Sequence, residues 1–382
     1  MKRIPFNVPY LVGTETDFIL EAVNSGKISG NGAFTKKCQK RLKESSGTFK
    51  CLLTTSCTDA LEMSSILSRI EPGDEVIMPS YTFVSTANAF ILRGAKVVFI
   101  DSRNDHPGMD EQGIESLITE KTKAIVPVHY AGVACDMGII MEVANRHNIM
   151  VIEDAAQAID STYTWPDGRV SQLGAIGALG TYSFHETKNV QCGEGGALLI
   201  NQKEFAFRSE IIWEKGTNRT AFWRGEVDKY GWVDIGSSFL PSDLSAAFLY
   251  AQLMNVEHIQ SARKRIWNRY NDRLQALEAQ GKLRTPEIPG FATNNAHMYY
   301  IICKTLNERN LLIKFLSEHG VQAVFHYQPL HASSYYQNQH GDRKLKNASE
   351  YGDCLLRLPL FNTLSNSQVD YIIDHVMKFY EN

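Results

Sequence analysis

The stretch SFHETKNVQCGEGGALL, residues 183–199, decides how the rest of the chain is read. It sets a lysine, Lys188, after a short apolar run and before a turn rich in glycine at Gly193, Gly195 and Gly196. Glycine at such a turn lets the backbone approach a bound group closely and return sharply into the next run, GALLIN (196–201). A lysine in a loop is ordinarily a solvated charge, so Lys188 acquires meaning only from what the chain brings beside it.

Working outward, short apolar and β-branched runs recur: CLLTTS (51–56), DEVIMPS (74–80), KVVFID (96–101), KAIVPVHY (123–130), MVIEDAA (150–156) and GTYSFH (180–185). Most are separated by segments with helical periodicity, such as 58–69 and 136–147. Alternation of this kind predicts an α/β fold with a largely parallel sheet covered by helices on both faces. From 243 to 277 there is no Gly or Pro, and the apolar spacing predicts one long connecting helix. Beyond it, strand-like runs at 298–303 and 321–327 flank a helical stretch at 308–319, and an amphipathic segment at 367–379 follows. The expected organisation is a large domain over 1–250 and a smaller α+β domain over 251–382, joined by the 243–277 helix.

Composition narrows the function classes. In 382 residues, 39 Lys and Arg face 42 Asp and Glu, a formal charge of −3 that argues against nucleic acid as a partner. Seven scattered cysteines, an odd number with no C-x-x-C pair, suit free thiols in a reducing compartment. No run approaches the ~18 apolar residues of a membrane helix, and Pro5, Asn7 and Pro9 interrupt the start before any signal-peptide core forms. The expectation is a cytoplasmic protein without membrane insertion.

Three further segments give Lys188 its context. VIEDAAQA (151–158) ends a strand in Glu153 and Asp154, with Gln157 following, and ligands in open parallel sheets bind at the carboxyl ends of the strands. A carboxylate near a lysine there suits pyridoxal phosphate (PLP) chemistry, in which the lysine forms a Schiff base and an Asp keeps the pyridine nitrogen protonated. A helix-capping role for Asp154 is the simpler alternative. TTSCTDALE (54–62) runs a strand into a helix start at Cys57 and Thr58, where free N–H groups form an anion site, with Ser183 as a further phosphate hydroxyl. PSYTF (79–83) delivers Tyr81 and Phe83 to one side of the sheet, for ring stacking or for core packing. His185, His326 and His331 lack zinc-type spacing, so no metal site is expected.

Taken in order, SFHETKN with GEGG, EDAAQA, PSYTFVSTANA, PVHYAG (127–132), HYQPLH (326–331) and LPLF (358–361) make the chain resemble the DegT/DnrJ/EryC1/StrS sugar aminotransferases along essentially its whole length. The resemblance implies the PLP-dependent transferase fold of type I, aspartate aminotransferase-like. It implies that Lys188 is the Schiff-base lysine and proton shuttle, that Asp154 pairs with the pyridine nitrogen, and that Gln157 lies near the ring hydroxyl. Phe83 would stack on the ring, while Cys57, Thr58 and Ser183 would hold the phosphate. The family also implies a homodimer with its active site at the subunit interface, in which an Asn of the partner reaches the phosphate. Here GSSFLPSDL (236–244) departs from that pattern, with Ser238 at the Asn position and Leu240 at the usual Arg position.

Within the family, HYAGVACDM (129–137), KGTNR (215–219) and DKYGWVDIGSS (228–238) are most similar to enzymes that aminate dTDP-4-dehydro-6-deoxy-D-glucose at C-4 with L-glutamate, giving dTDP-4-amino-4,6-dideoxy-D-galactose. Such a product implies a place in lipopolysaccharide O-antigen or enterobacterial common antigen biosynthesis. Lys215 and Arg219 would be cations for the diphosphate, or solvated charges, and His185, His326 and Tyr327 would line the substrate pocket. Amination at C-3, or at C-4 with gluco configuration, remains an alternative. A dehydratase, in which His replaces the lysine, and a cofactor-binding regulator without turnover are the rival classes.

Overall fold

The computed structural model describes residues 3–341 and 343–381. Its central sheet has seven strands in the order β1-β9-β8-β5-β4-β2-β3. In chain order these are β1 (Lys50–Thr54), β2 (Glu75–Pro79), β3 (Lys96–Ile100), β4 (Thr122–Ile125), β5 (Met150–Asp154), β8 (Leu179–Ser183) and β9 (Gly196–Ile200). A small two-stranded ribbon, β6 (Thr162–Thr164) and β7 (Val170–Gln172), interrupts the numbering. β2, β5, β8 and β9 are buried almost throughout, which is why they read as continuous apolar runs without polar alternation. Neighbours from β8 through β5, β4 and β2 to β3 are parallel, whereas β9 is antiparallel to both β8 and β1. The segment 184–195, between β8 and β9, holds no helix to carry a parallel crossover, so the chain returns antiparallel.

The helix Cys57–Leu67 begins directly after β1. Ser56 caps it, accepting a hydrogen bond from the Asp59 amide at 3.0 Å. Gly196 allows that start to sit flush on the sheet, because a Cβ on it would lie 2.3 Å from the Ser56 carbonyl carbon and 2.4 Å from the Cys57 nitrogen. The helix Met137–His147 is likewise fixed by Asp136, which accepts from the Gly138 and Ile139 amides.

The predicted helix over 243–277 is two helices, Asp243–Leu253 and Val256–Ala279. The break comes at Met254–Asn255, where Asn255 leaves helical geometry and its side-chain amide donates to the Ala251 carbonyl at 2.9 Å. An Asn side chain that hydrogen-bonds the preceding turn competes with helix continuation, a signal that Gly/Pro counting misses. The first piece packs on the helices Glu15–Asn24 and Ala33–Ser46, and the second on Asn366–Glu381. Asp243 also accepts from the Phe34 and Thr35 amides and the Thr35 hydroxyl, capping the Ala33–Ser46 helix from a distance of 209 residues or so in sequence.

The second sheet has three strands, β10 (Tyr299–Ile302), β11 (Val324–Phe325) and β12 (Leu355–Leu358), with β12 in the middle and antiparallel to both neighbours. One apolar core joins Ile4, Ile266, Trp267, Leu312, Leu356 and Ile372, so the start of the chain packs with this second sheet. Ile4 is held there by backbone bonds to Gly320 and Gln322. Met298, Tyr300 and Leu355 share another core with the main sheet, across from Leu52 and Met78.

Candidate active site

The strand ends Thr54, Asp154 and Ser183 come together because β5 and β8 run parallel and β1 runs the same way beyond β9. Between them and the second sheet lies a cavity of about 570 Å³. Cys57, Thr58 and Ser183 form one part of its wall, Asp154, Gln157 and Lys188 its base, and Phe83, His185, His326 and Tyr327 further parts.

Lys188 is carried by the turn after β8, where its amide donates to the His185 carbonyl and the Glu186 amide to Gly193, which adopts φ 79°. Its neighbour Asn189 is buried, donating to Gln260 Oε1 and the Asn295 carbonyl, each at 2.8 Å. That leaves Asn189 Oδ1 to accept from His297 Nδ1 at 2.9 Å. The turn is therefore fixed from below. Burial pushes the Lys188 amine below the ordinary lysine pKa; Cys57 and Asp154 oppose the shift and the Arg357 charge adds to it.

Asp154 accepts from the Thr86 hydroxyl at 2.7 Å through Oδ2 and from the Ala156 amide at 3.1 Å through Oδ1. Glu153, expected at the same crevice, points to the opposite face because successive strand residues alternate. Fully buried, it accepts from His129 Nε2 at 3.0 Å and from the amides of Gly174, Ile176 and Gly177. Gln157 is held in place, accepting from the Ala131 amide at 2.7 Å and donating to the Tyr327 hydroxyl at 3.3 Å.

Tyr81 and Phe83 do not share a face. β2 ends at Pro79, so strand alternation no longer applies; Tyr81 is buried against Tyr130 and Tyr351, whereas Phe83, 54% exposed, lines the cavity beside Tyr327. Thr58 donates its hydroxyl to Ser85 at 2.8 Å, while the first-turn amides of Cys57 and Thr58 have no intrahelical acceptor. His326 Nδ1 meets the Tyr130 hydroxyl at 3.0 Å, and burial, aided by the Arg357 charge, drives its pKa well down. His185 Nδ1 meets the Thr187 hydroxyl at 2.9 Å.

Lys215, Arg219 and Ser238 stand elsewhere. All three are exposed, on a segment where Lys215 has φ 63° and Glu214 bridges to Ser238, and none lines the cavity of its own chain. Among the wall residues that escaped sequence reading, three are basic: Arg263, His297 and Arg357. Arg263 donates to the carbonyls of Ala296, His297 and Leu360, and His297 holds Asn189. Arg357 is the one that carried a signal, a single cation inside the apolar run LLRLPLF.

The model of the DegT/DnrJ/EryC1/StrS aminotransferase family matches residues 9–377. The chain is 31% identical to the spore coat polysaccharide biosynthesis protein SpsC of Bacillus subtilis, covering 98% of this chain and 96% of the relative. It is equally 31% identical to GDP-perosamine synthase of Caulobacter vibrioides, covering 98% and 97%. Among solved structures, Spr1654 of Streptococcus pneumoniae in its pyridoxamine phosphate (PMP) form superposes with a TM-score of 0.90 at 28% identity, covering 99% of each chain. The same protein is also known in a PLP form, at 27% identity. A cavity built on a buried lysine at the strand ends, matched along nearly the whole sequence, leads to one statement: the chain belongs to the DegT/DnrJ/EryC1/StrS aminotransferase family.

Proposed function

We propose that this aminotransferase uses PLP to move the amino group of L-glutamate onto C-4 of dTDP-4-dehydro-6-deoxy-D-glucose, giving dTDP-4-amino-4,6-dideoxy-D-galactose and 2-oxoglutarate. The observation that carries the PLP assignment is the buried Lys188 amine, shifted toward its neutral form, in one cavity with Asp154. The donor set fits the cofactor: free amides at the Cys57–Leu67 helix start and the Ser183 hydroxyl suit a phosphate, and the Phe83 ring suits an aromatic face. Asp154, held by Thr86 and Ala156, would keep a proton on the ring nitrogen, and Gln157 would lie by the ring hydroxyl.

When bound, the cofactor supplies an electron sink that acidifies the donor α-carbon. Lys188, made less basic by burial, would take that proton and return it. Tyr327 and Gln157 hold each other in place, and Phe83 and His185 line the same cavity.

The choice of sugar rests on motif resemblance over 129–137, 215–219 and 228–238. A homodimer is part of the same reading. Its support is the exposed segment with Trp223 at 70% and Trp232 at 85% exposure, an apolar surface that a monomer would leave in water. In such a dimer Lys215, Arg219 and Ser238 would serve the partner's cavity. The test is NMR identification of the product from the purified enzyme, L-glutamate and dTDP-4-dehydro-6-deoxy-D-glucose. An axial C-4 amine is expected; an equatorial amine or a C-3 amine overturns the sugar assignment, and no amine transfer overturns the whole reading.

A further inference from the structure

Asn189 fixes the Lys188 turn, and it also fixes the position of a proton. Both hydrogens of its side-chain amide are engaged, by Gln260 Oε1 and by the Asn295 carbonyl, so its Oδ1 can only accept, and the His297 Nδ1 that meets it at 2.9 Å must carry the hydrogen. Burial drives the His297 pKa well down, and the charges of Lys188, Arg263 and Arg357 drive it further. The ring is therefore neutral, and a neutral ring with its hydrogen on Nδ1 has a lone pair on Nε2. That nitrogen has no partner among the described residues, and with Nδ1 turned to Asn189 it is the edge left to the cavity that His297 lines. The backbone holds the ring there: the His297 amide donates to Asn295 Oδ1 at 3.0 Å, and its carbonyl accepts from Arg263 at 2.6 Å.

A fixed acceptor stands apart from the other basic groups of this wall. Lys188, Arg263 and Arg357 carry donors, and Arg357 Nε is buried without an acceptor. Carboxylates and phosphates suit such cations, but they have no hydrogen to give to a lone pair, whereas a hydroxyl has one. The amino donor brings carboxylates and an amine that is itself transferred. The sugar keeps free hydroxyls on the ring that reacts. We infer that His297 Nε2 accepts a hydrogen bond from the sugar hydroxyl next to the reacting carbon, and so reads the sugar in one half-reaction only. This rests on the reading above that the amine acceptor is a 4-dehydro sugar, in which that hydroxyl is the one on C-3. His297 is one hydrogen bond from the residue that follows Lys188, so a group it holds lies beside the carbon to which Lys188 would deliver its proton. C-3 is one bond from that carbon, while C-1 with its diphosphate lies across the ring.

The test follows single turnovers of the PMP-loaded protein by visible absorbance, with dTDP-4-dehydro-6-deoxy-D-glucose and with its 3-deoxy counterpart. Wild type prefers the sugar that has the 3-hydroxyl by about 10-fold, the order of the loss when a buried acceptor is left unpaired. In His297→Asn the carboxamide can still donate to Asn189 in the place of Nδ1, but no atom stands at Nε2. That variant loses most of the preference, and it slows the sugar half-reaction more than the L-glutamate half-reaction. The preference is a ratio within one protein, so a merely structural role for His297 does not move it. A wild-type preference kept in His297→Asn, or equal slowing of both half-reactions, overturns the contact. Where His297→Asn does not retain the cofactor band, the ratio is read from His297→Gln, whose carboxamide reaches the Nε2 position: a preference kept there upholds the contact and a preference lost overturns it. A wild type that aminates neither sugar overturns the sugar assignment, and the contact with it; one that aminates both equally well overturns the contact alone.

Discussion

Lys188 and Lys215 look alike on paper, each a lysine in a loop followed by glycine, five residues on in TKNVQCGEGG and directly in EKGTNR. The folded chain treats them oppositely. Lys188 follows β8, is fixed through Asn189 and loses basicity to burial, whereas Lys215 stands exposed on a segment rich in uncovered aromatics. The difference teaches that a lysine becomes a base by the strand it follows and the neighbours it is denied. Its nearest residues in sequence do not decide that.

The most severe way to probe the contrast is Lys188→Ala. Loss of the proton carrier lowers turnover by about a thousandfold or more, read from single-turnover absorbance changes, with the melting profile largely kept. Equal turnover in that variant would dissolve the distinction between the two lysines. Glu153→Ala tests the framework under the site. Removing a carboxylate that serves one imidazole and three amides leaves buried donors unpaired, and a loss of about 3–5 kcal/mol in denaturant unfolding is expected. Asp154→Asn keeps the shape but drops the charge, so turnover falls about a hundredfold, measured alongside cofactor retention on dialysis. The Lys215→Ala protein raises KM for the nucleotide sugar about tenfold with kcat unchanged, as expected for a phosphate contact made in a partner's cavity; an unchanged KM would return Lys215 to the solvated surface. Finally, the pH profile of the glutamate half-reaction carries the sign of the lysine shift. Only the neutral amine accepts a proton, so the rate rises with pH through a pKa below the ordinary lysine value of 10.5.

Much of this was legible early. The seven strand runs all appear in one sheet, because strands buried on both faces must be continuously apolar and so announce themselves. Ten of the thirteen predicted site residues line one cavity, since parallel strands present their carboxyl ends on one side. What was not legible has physical causes too. The helix break at Met254–Asn255 came from a side chain competing with the backbone, where no Gly or Pro marks it. Tyr81 was misplaced because facing depends on where a strand ends, and Glu153 because it lies inside β5, where neighbours alternate between faces. The four-residue β12 was too short to stand out, and with it went Arg357, although a cation in LLRLPLF is out of keeping with a buried strand.

By itself, then, the sequence determined the class of fold and the family, because apolar periodicity and ordered motifs are properties of the chain. Only the tertiary structure decided which charges are working groups. Whether Asp154 or Glu153 meets the cavity, whether Lys188 loses basicity, and whether Arg357 lacks a partner depend on desolvation and on contacts between residues far apart in the chain, and neither exists until the two sheets close on each other.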